Sequence, residues 1–178
     1  MIRVSLIFVL VMLVSCQGDD VIVQSLFDLS GAPLHYDDSK ATKFLNVATV
    51  SIHASREKDT NLAKIKAISR EILSQHPETE LLLFGETVLG WYIDENDPES
   101  YQRTIAESIP GPSTDAIAFL ADSLNVHIVF GMTELQGDKL YNAQVYVNKE
   151  GNIEAIHRKV NLTPEDKKKW HYTGIKDP

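Results

Sequence analysis

Short apolar runs recur along this chain, and residues that favour turns bound each of them. The runs are rich in β-branched and aliphatic side chains, a composition typical of strands with at least one buried face. Five runs predict strands, at residues 46–52, 81–84, 126–130, 139–147 and 153–157. Gly131 directly follows the third run and predicts the end of that strand.

Segments with helical periodicity lie between the first three predicted strands. Apolar residues recur three and four positions apart from Leu62 to Leu73, with charged residues on the opposite face. This pattern predicts an amphipathic helix capped by Asp59 or Thr60. Two more helices are predicted at residues 99–108 and 113–125. The resulting order, β-α-β-α-α-β-β-β, predicts a mixed α/β layer that begins with a parallel β-α-β unit.

The N-terminus has the pattern of a bacterial export signal. Its apolar run, Val4 to Val14, is too short to cross a bilayer as a helix and suits a signal peptide. The run ends before Ser15-Cys16, which resembles the lipobox of a lipidated cysteine. We therefore expect a signal peptide at 1–15, a tether at 16–44 lipidated on Cys16, and a folded domain over 45–178. This predicts a cell-envelope protein anchored to a bacterial membrane; the alternative is a core strand that ends in a buried cysteine.

Composition and charge narrow the possible functions. The hydrophobic content of 43% is that of a globular protein. The net charge of -8 argues against a general nucleic-acid or anionic-membrane binder, since those proteins need concentrated positive surface. A chain with a single cysteine cannot form an intramolecular disulfide. The histidines show no ligand spacing, so we expect no metal and no cofactor.

A carboxylate comes directly after the second predicted strand. Glu86 lies at that strand end, and ligands of α/β folds bind at the carboxyl ends of parallel strands. Apolar neighbours such as Phe84 and Val88 would leave Glu86 poorly solvated, which raises the pKa of a carboxyl group toward the range for proton transfer. Trp91 and Tyr92 are candidates either to line a substrate pocket or to pack in the core. The alternative role for Glu86 is a turn cap or a surface partner of a lysine.

Two more charged residues are predicted at strand ends. Lys159 follows the fifth strand, and Glu134 follows the third. If the second and fifth strands are neighbours, Lys159 meets Glu86 at one edge of the sheet. An ammonium group there can stabilise a developing oxyanion. The alternative is that Arg158 and Lys159 are ordinary surface cations after a hairpin.

Four stretches carry a family resemblance, in this order: Val47 to Leu73, Leu82 to Glu86, Pro110 to Gly131 and Leu140 to Leu162. Together they resemble the nitrilase superfamily, the carbon–nitrogen hydrolases. The resemblance implies an α-β-β-α sandwich of the nitrilase type, incomplete in this chain, that usually pairs with a second subunit. It also implies a Glu-Lys-Cys triad that acts on a small amide or nitrile. Glu86 and Lys159 map onto that triad, and Glu134 matches a further glutamate.

The chain departs from this pattern at two positions. Gly85 stands where the family commonly has a proline. More importantly, the single cysteine, Cys16, precedes the first strand, whereas the family's nucleophile follows the lysine. We therefore expect the N-terminal portion of a hydrolase, inactive by itself. The alternatives are an exported lipoprotein that binds small amides without chemistry, a protein with only a structural role, and an enzyme that transfers an acyl group to an amine.

Overall fold

The computed structural model describes residues 43–90 and 96–175; the predicted signal peptide, Cys16, Trp91 and Tyr92 lie outside the described residues. The strands are β1 (Val47–Val50), β2 (Leu81–Phe84), β3 (His127–Gln136), β4 (Lys139–Val147) and β5 (Ile153–Arg158). The helices are α1 (Lys58–Gln75), α2 (Pro98–Ile105), α3 (Pro112–Leu124) and α4 (Pro164–Lys168). The predicted order of elements is confirmed, and α4 is an addition to it.

The strands form one five-stranded sheet in the order β1-β2-β3-β4-β5. The strands β1, β2 and β3 are parallel, whereas β4 is antiparallel to both of its neighbours. Consequently β2 and β5 run in the same direction. Their carboxyl ends lie at the same edge of the sheet, although two strands separate them in the sheet order.

The strand β3 is longer than the sequence predicts. It continues through Gly131 to Gln136 because β4 pairs with it along its whole second half, as far as Lys139. Hydrogen bonds from a neighbouring strand compensate for the weak strand propensity of glycine. Glu134 therefore lies inside a strand, and the prediction that it follows the strand end is wrong.

Helices α1 and α3 cover one face of the sheet. Their apolar stripes, which include Ile65, Ile68 and Ile117, pack on Phe84 and Phe130 of the central strands. The opposite face carries the half-buried side chains of Leu81, Leu83 and Val129. The described residues thus form one helix layer and one sheet layer of the expected sandwich. Within the described residues, no helix is long and apolar enough to cross a membrane.

The predicted helix starts are wrong by a few residues. Helix α1 begins at Lys58 with Glu57 as its N-cap, and no side chain caps it. Helix α3 begins after Gly111, whose amide donates to the hydroxyl of Thr114. Pro112 at the first helical position accounts for this start, because its missing N–H and fixed φ suit the first turn of a helix.

Candidate active site

Glu86 lies in the turn that follows β2. Phe84 before it and Val88 and Leu89 after it are buried in the core, so both sides of the turn are held in place. The Glu86 side chain is nevertheless 59% exposed. The prediction of a poorly solvated carboxylate is therefore wrong, because Glu86 projects over the sheet face opposite α1 and α3, beside Asn142.

Lys159 comes directly after β5, and its backbone amide donates to the carbonyl of Asn142. Its ammonium Nζ lies 3.0 Å from Oε1 of Glu86 and 3.0 Å from Oδ2 of Asp166. The structure thus brings Glu86 and Lys159 together at the edge where β2 and β5 end. Burial lowers the pKa of Lys159, but hydrogen bonds to both carboxylates and their negative charge together raise it by a larger amount. The net pKa lies above the usual lysine value, so the ammonium is charged at neutral pH.

Asp166 is a site residue that the sequence reasoning missed. Its carboxylate accepts from the amide of Thr163, while the Thr163 hydroxyl accepts from the amide of Asp166. This reciprocal arrangement is a capping box, and it orients the carboxylate at the start of α4 toward Lys159. The signal was available in Thr163-Pro164-Glu165-Asp166, which has an acidic residue three positions after a threonine and a proline at the first helical position.

The pKa of Asp166 lies below its usual value. Burial raises this pKa, but hydrogen bonds from Thr163 and from the Lys159 ammonium lower it more. Asp166 is only 10% exposed, compared with 30% for Lys159. The lysine is therefore held by one buried carboxylate, Asp166, and one exposed carboxylate, Glu86.

Asn142 is a second residue that the sequence reasoning missed. It lies on β4, and its side-chain amide donates to Oε1 of Glu86, the same oxygen that accepts from Lys159. Among residues 43–90 and 96–175, no donor contacts Oε2 of Glu86. One oxygen of the carboxylate thus accepts from two donors, and the side chain as a whole is largely exposed, an arrangement suited to taking up and releasing a proton.

Glu134 does not join this group. Both of its oxygens accept from the guanidinium of Arg158, at 2.6 and 2.7 Å. Alternation along β3 and β4 places Glu134 on the face with Phe130 and Met132, opposite the face of Asn142. The Arg158 guanidinium also lies 4.1 Å from the centre of the Tyr141 ring. Glu134 is therefore paired with Arg158, on the opposite face of the sheet from Asn142.

Two cavities meet at the Glu86–Lys159 pair. One, of about 510 Å³, extends toward Gln144, His157 and Asn161. The other, of about 530 Å³, extends toward His53, Thr163 and Trp170. Glu86, Asn142 and Lys159 line both cavities. A small molecule in either cavity would lie against the carboxylate and the ammonium. In the described part of the chain, no cluster of side chains has the composition of a metal site.

Comparison with known proteins identifies relatives of this chain. The family model of the carbon–nitrogen hydrolases matches residues 46–173. The chain is 30% identical over 111 residues to a probable nitrilase of Schizosaccharomyces pombe, a match that covers 61% of this chain and 40% of the relative. It is 27% identical over 117 residues to an omega-amidase of Danio rerio, which covers 65% of this chain and 40% of the relative.

Solved structures have the same fold. An N-terminal amidase superposes with a TM-score of 0.65 at 18% identity, covering 73% of this chain and 31% of that one. A carbon–nitrogen hydrolase from Helicobacter pylori G27 superposes with a TM-score of 0.60 at 18% identity, covering 73% of this chain and 44% of that one. At such identities the likeness shows the fold alone. The chain spans about 40% of the length of the two curated relatives.

Proposed function

We propose a hydrolytic function from one premise: this chain belongs to the carbon–nitrogen hydrolase family. The proposal is that Glu86 and Lys159 supply the acid–base and oxyanion-stabilising groups for cleavage of an amide or nitrile. One observation carries it, namely that the Lys159 ammonium lies 3.0 Å from the Glu86 carboxylate over a cavity at the strand ends. The names of the relatives, nitrilases and amidases, support this substrate class.

The proposed reaction with an amide begins at Glu86, whose carboxylate takes the proton from a cysteine thiol. The thiolate attacks the carbonyl carbon, and the Lys159 ammonium stabilises the negative charge that develops on oxygen. Glu86 then gives its proton to the nitrogen as the C–N bond breaks, which leaves a thioester. Water, deprotonated by Glu86, hydrolyses the thioester and regenerates the thiol. The same two residues thus serve both half-reactions.

Asp166 and Asn142 have positioning roles in this proposal. Asp166 keeps the ammonium charged and directs it toward the cavity, because the capping box of α4 holds its carboxylate. Asn142 holds one oxygen of Glu86, so that the other oxygen faces the substrate. The third predicted carboxylate, Glu134, remains a prediction; its contacts favour an indirect role through Arg158.

The proposed triad needs a cysteine thiol, and the sequence of this chain contains one cysteine. Its single cysteine, Cys16, precedes β1 and lies in the predicted lipobox. We therefore expect the 178-residue chain alone to release no ammonia from amides or nitriles. Ammonia release by this chain would contradict the assignment of the triad.

The test of the function compares that chain with the protein isolated from its source cells. Ammonia release from a panel of small amides and nitriles is the measurement. We expect activity in the native protein, and a loss of at least about 100-fold on Lys159→Met or Glu86→Gln. Lys139→Met is the matched control, because Lys139 lies at the start of β4 and lines neither cavity. Full activity in Lys159→Met would overturn the proposal.

The location of the protein is also a proposal. The lipobox at Cys16 supports a lipoprotein with a signal peptide at 1–15, a tether to residue 44 and the hydrolase domain after it, anchored in the bacterial cell envelope. Labelling with radioactive palmitate tests this: label should enter the native protein and be absent from Cys16→Ser. An unlabelled native protein would refute the anchor. Pairing with a second subunit is likewise proposed from the family resemblance.

A further inference from the structure

The turn that carries Glu86 lies directly against the middle of β3. The contact is made at Gly131, which has no side chain. A Cβ atom at this position would lie 2.3 Å from the amide nitrogen of Thr87 and 2.9 Å from the carbonyl carbon of Glu86. It would also lie 2.8 Å from the side-chain oxygen of Gln144. These separations are well below van der Waals contact, so even a methyl group does not fit.

The atoms around Gly131 have little freedom to move away. Two of the three belong to the peptide that joins Glu86 to Thr87, not to the end of a flexible side chain. Thr87 already has a φ of 51°, a left-handed conformation that is strained for a β-branched residue. The buried residues Val88 and Leu89 hold the following part of the turn in the core. A side chain at 131 would therefore displace the Glu86 peptide itself.

We propose that Gly131 is a positioning residue, whose missing side chain lets the Glu86–Thr87 peptide lie on the sheet and so sets the reach of Glu86 to Lys159. The proposal rests on the proposed function only in giving this geometry a catalytic purpose. It also explains why a glycine occupies the interior of β3, where strand propensity disfavours it. The requirement is for space, since Gly131 has the extended conformation of a strand.

Two other glycines provide matched controls. Gly85 is adjacent to Glu86 in sequence, yet a Cβ there would contact only the Val88 side chain, at an ordinary 3.8 Å. Gly111 lies at the start of α3, where a Cβ would meet the carbonyl oxygen of Ser108 at 2.4 Å. An alanine at 111 thus introduces a comparable clash away from Glu86. Gly85 thus tests the effect of a change next to Glu86 in sequence, and Gly111 tests the effect of a destabilising clash elsewhere. Only the substitution at Gly131 should displace Glu86.

The experiment titrates the side chain of Lys159 by NMR in the 178-residue chain, and records the melting temperature of each variant. Glu86→Gln gives the reference, because it removes the charge of the exposed partner and lowers the pKa of Lys159. We expect Gly131→Ala to reproduce most of this shift. Gly111→Ala should lower the melting temperature and leave the Lys159 pKa unchanged, and Gly85→Ala should change neither. An unchanged Lys159 pKa in Gly131→Ala would overturn the proposal.

A second variant covers the case in which Gly131→Ala does not fold. In the double variant Gly131→Ala/Thr87→Gly, the new glycine lets the turn move off the methyl group without strain. This protein should fold and still show the lowered Lys159 pKa. If it also fails to fold while Gly111→Ala folds, Gly131 serves the fold alone and the proposal is wrong. If Glu86→Gln itself leaves the Lys159 pKa unchanged, the fault lies with the Glu86–Lys159 pair and hence with the proposed function.

Discussion

Arg158 and Lys159 are adjacent in sequence, but they enter two different kinds of site. Arg158 points to the face of the sheet that α1 and α3 cover, where it forms a bidentate pair with Glu134, whose side chain is 5% exposed. Lys159 points to the opposite face and is shared between Asp166, which is 10% exposed, and Glu86, which is 59% exposed. Side chains of consecutive residues in an extended chain point to opposite faces, which accounts for the opposite directions of these two neighbours.

The two carboxylates differ in how accessible they are to a substrate. Both oxygens of Glu134 accept from one rigid guanidinium, and the side chain is only 5% exposed, so this carboxylate is largely shielded from a substrate. Glu86 accepts at one oxygen from Asn142 and Lys159 and keeps most of its side chain exposed, beside an ammonium that Asp166 also holds. We expect the buried pair to contribute mainly to the fold, and we propose the exposed pair as the groups that meet the substrate.

Removal of Glu134 should have the largest effect on stability. Glu134→Ala leaves the Arg158 guanidinium partly buried and without its bidentate partner. Breaking a buried ion pair from one side costs about 3 kcal/mol of unfolding free energy. Urea unfolding followed by circular dichroism measures this loss.

The matched substitution on the other face is Glu86→Ala. It removes an exposed partner and should cost less than about 1 kcal/mol. If both substitutions cost the same, the contrast between the two pairs would not hold.

Asp166→Asn should have an intermediate effect that depends on pH. The asparagine oxygen still caps α4, so the change removes mainly the charge next to Lys159, at a cost of about 1 kcal/mol at pH 7. Because folding lowers the pKa of Asp166, its contribution is present at neutral pH and is lost as pH falls below about 4. The variant should therefore lose less stability than the wild type between about pH 5 and pH 2.

Glu107 also titrates in this acidic range. Burial raises the pKa of Glu107, but hydrogen bonds from Lys58 and Ser113 together lower it by a larger amount. The comparison must therefore be made as the difference between the two pH curves, in which the contribution of Glu107 cancels. Parallel curves for wild type and Asp166→Asn would show that Asp166 does not hold the lysine.

At alkaline pH the exposed pair should give the smallest effect. Folding raises the pKa of Lys159, so its contribution is present below about pH 10.4 and is lost as pH rises through the folded value. Glu86→Gln should change stability by less than about 1 kcal/mol at pH 7. In this variant the contribution of Lys159 to stability should be lost at a lower pH than in the wild type. Thermal unfolding at pH 9 to 11 measures this difference. A variant that matches the wild type at every pH would show that Glu86 does not contribute.

The sequence predicted the element order because each strand and helix has its own hydrophobic period, and period 2 and period 3.6 are local properties. It predicted Glu86 and Lys159 as strand-end residues for the same reason. It missed the extension of β3 through Gly131, because only pairing with β4 makes a glycine acceptable there. It missed Asn142 because nothing local distinguishes a strand asparagine that faces Glu86 from one that faces solvent.

By itself, the sequence determined the types of elements, their order and the charged residues at the ends of β2 and β5. Only the tertiary structure decided which charges pair. The face of Arg158 is set by the register of β5 on β4, and the reach of Glu86 is set by the space over Gly131. Pairing between residues tens of positions apart depends on register and close packing, which a local hydrophobic pattern does not encode.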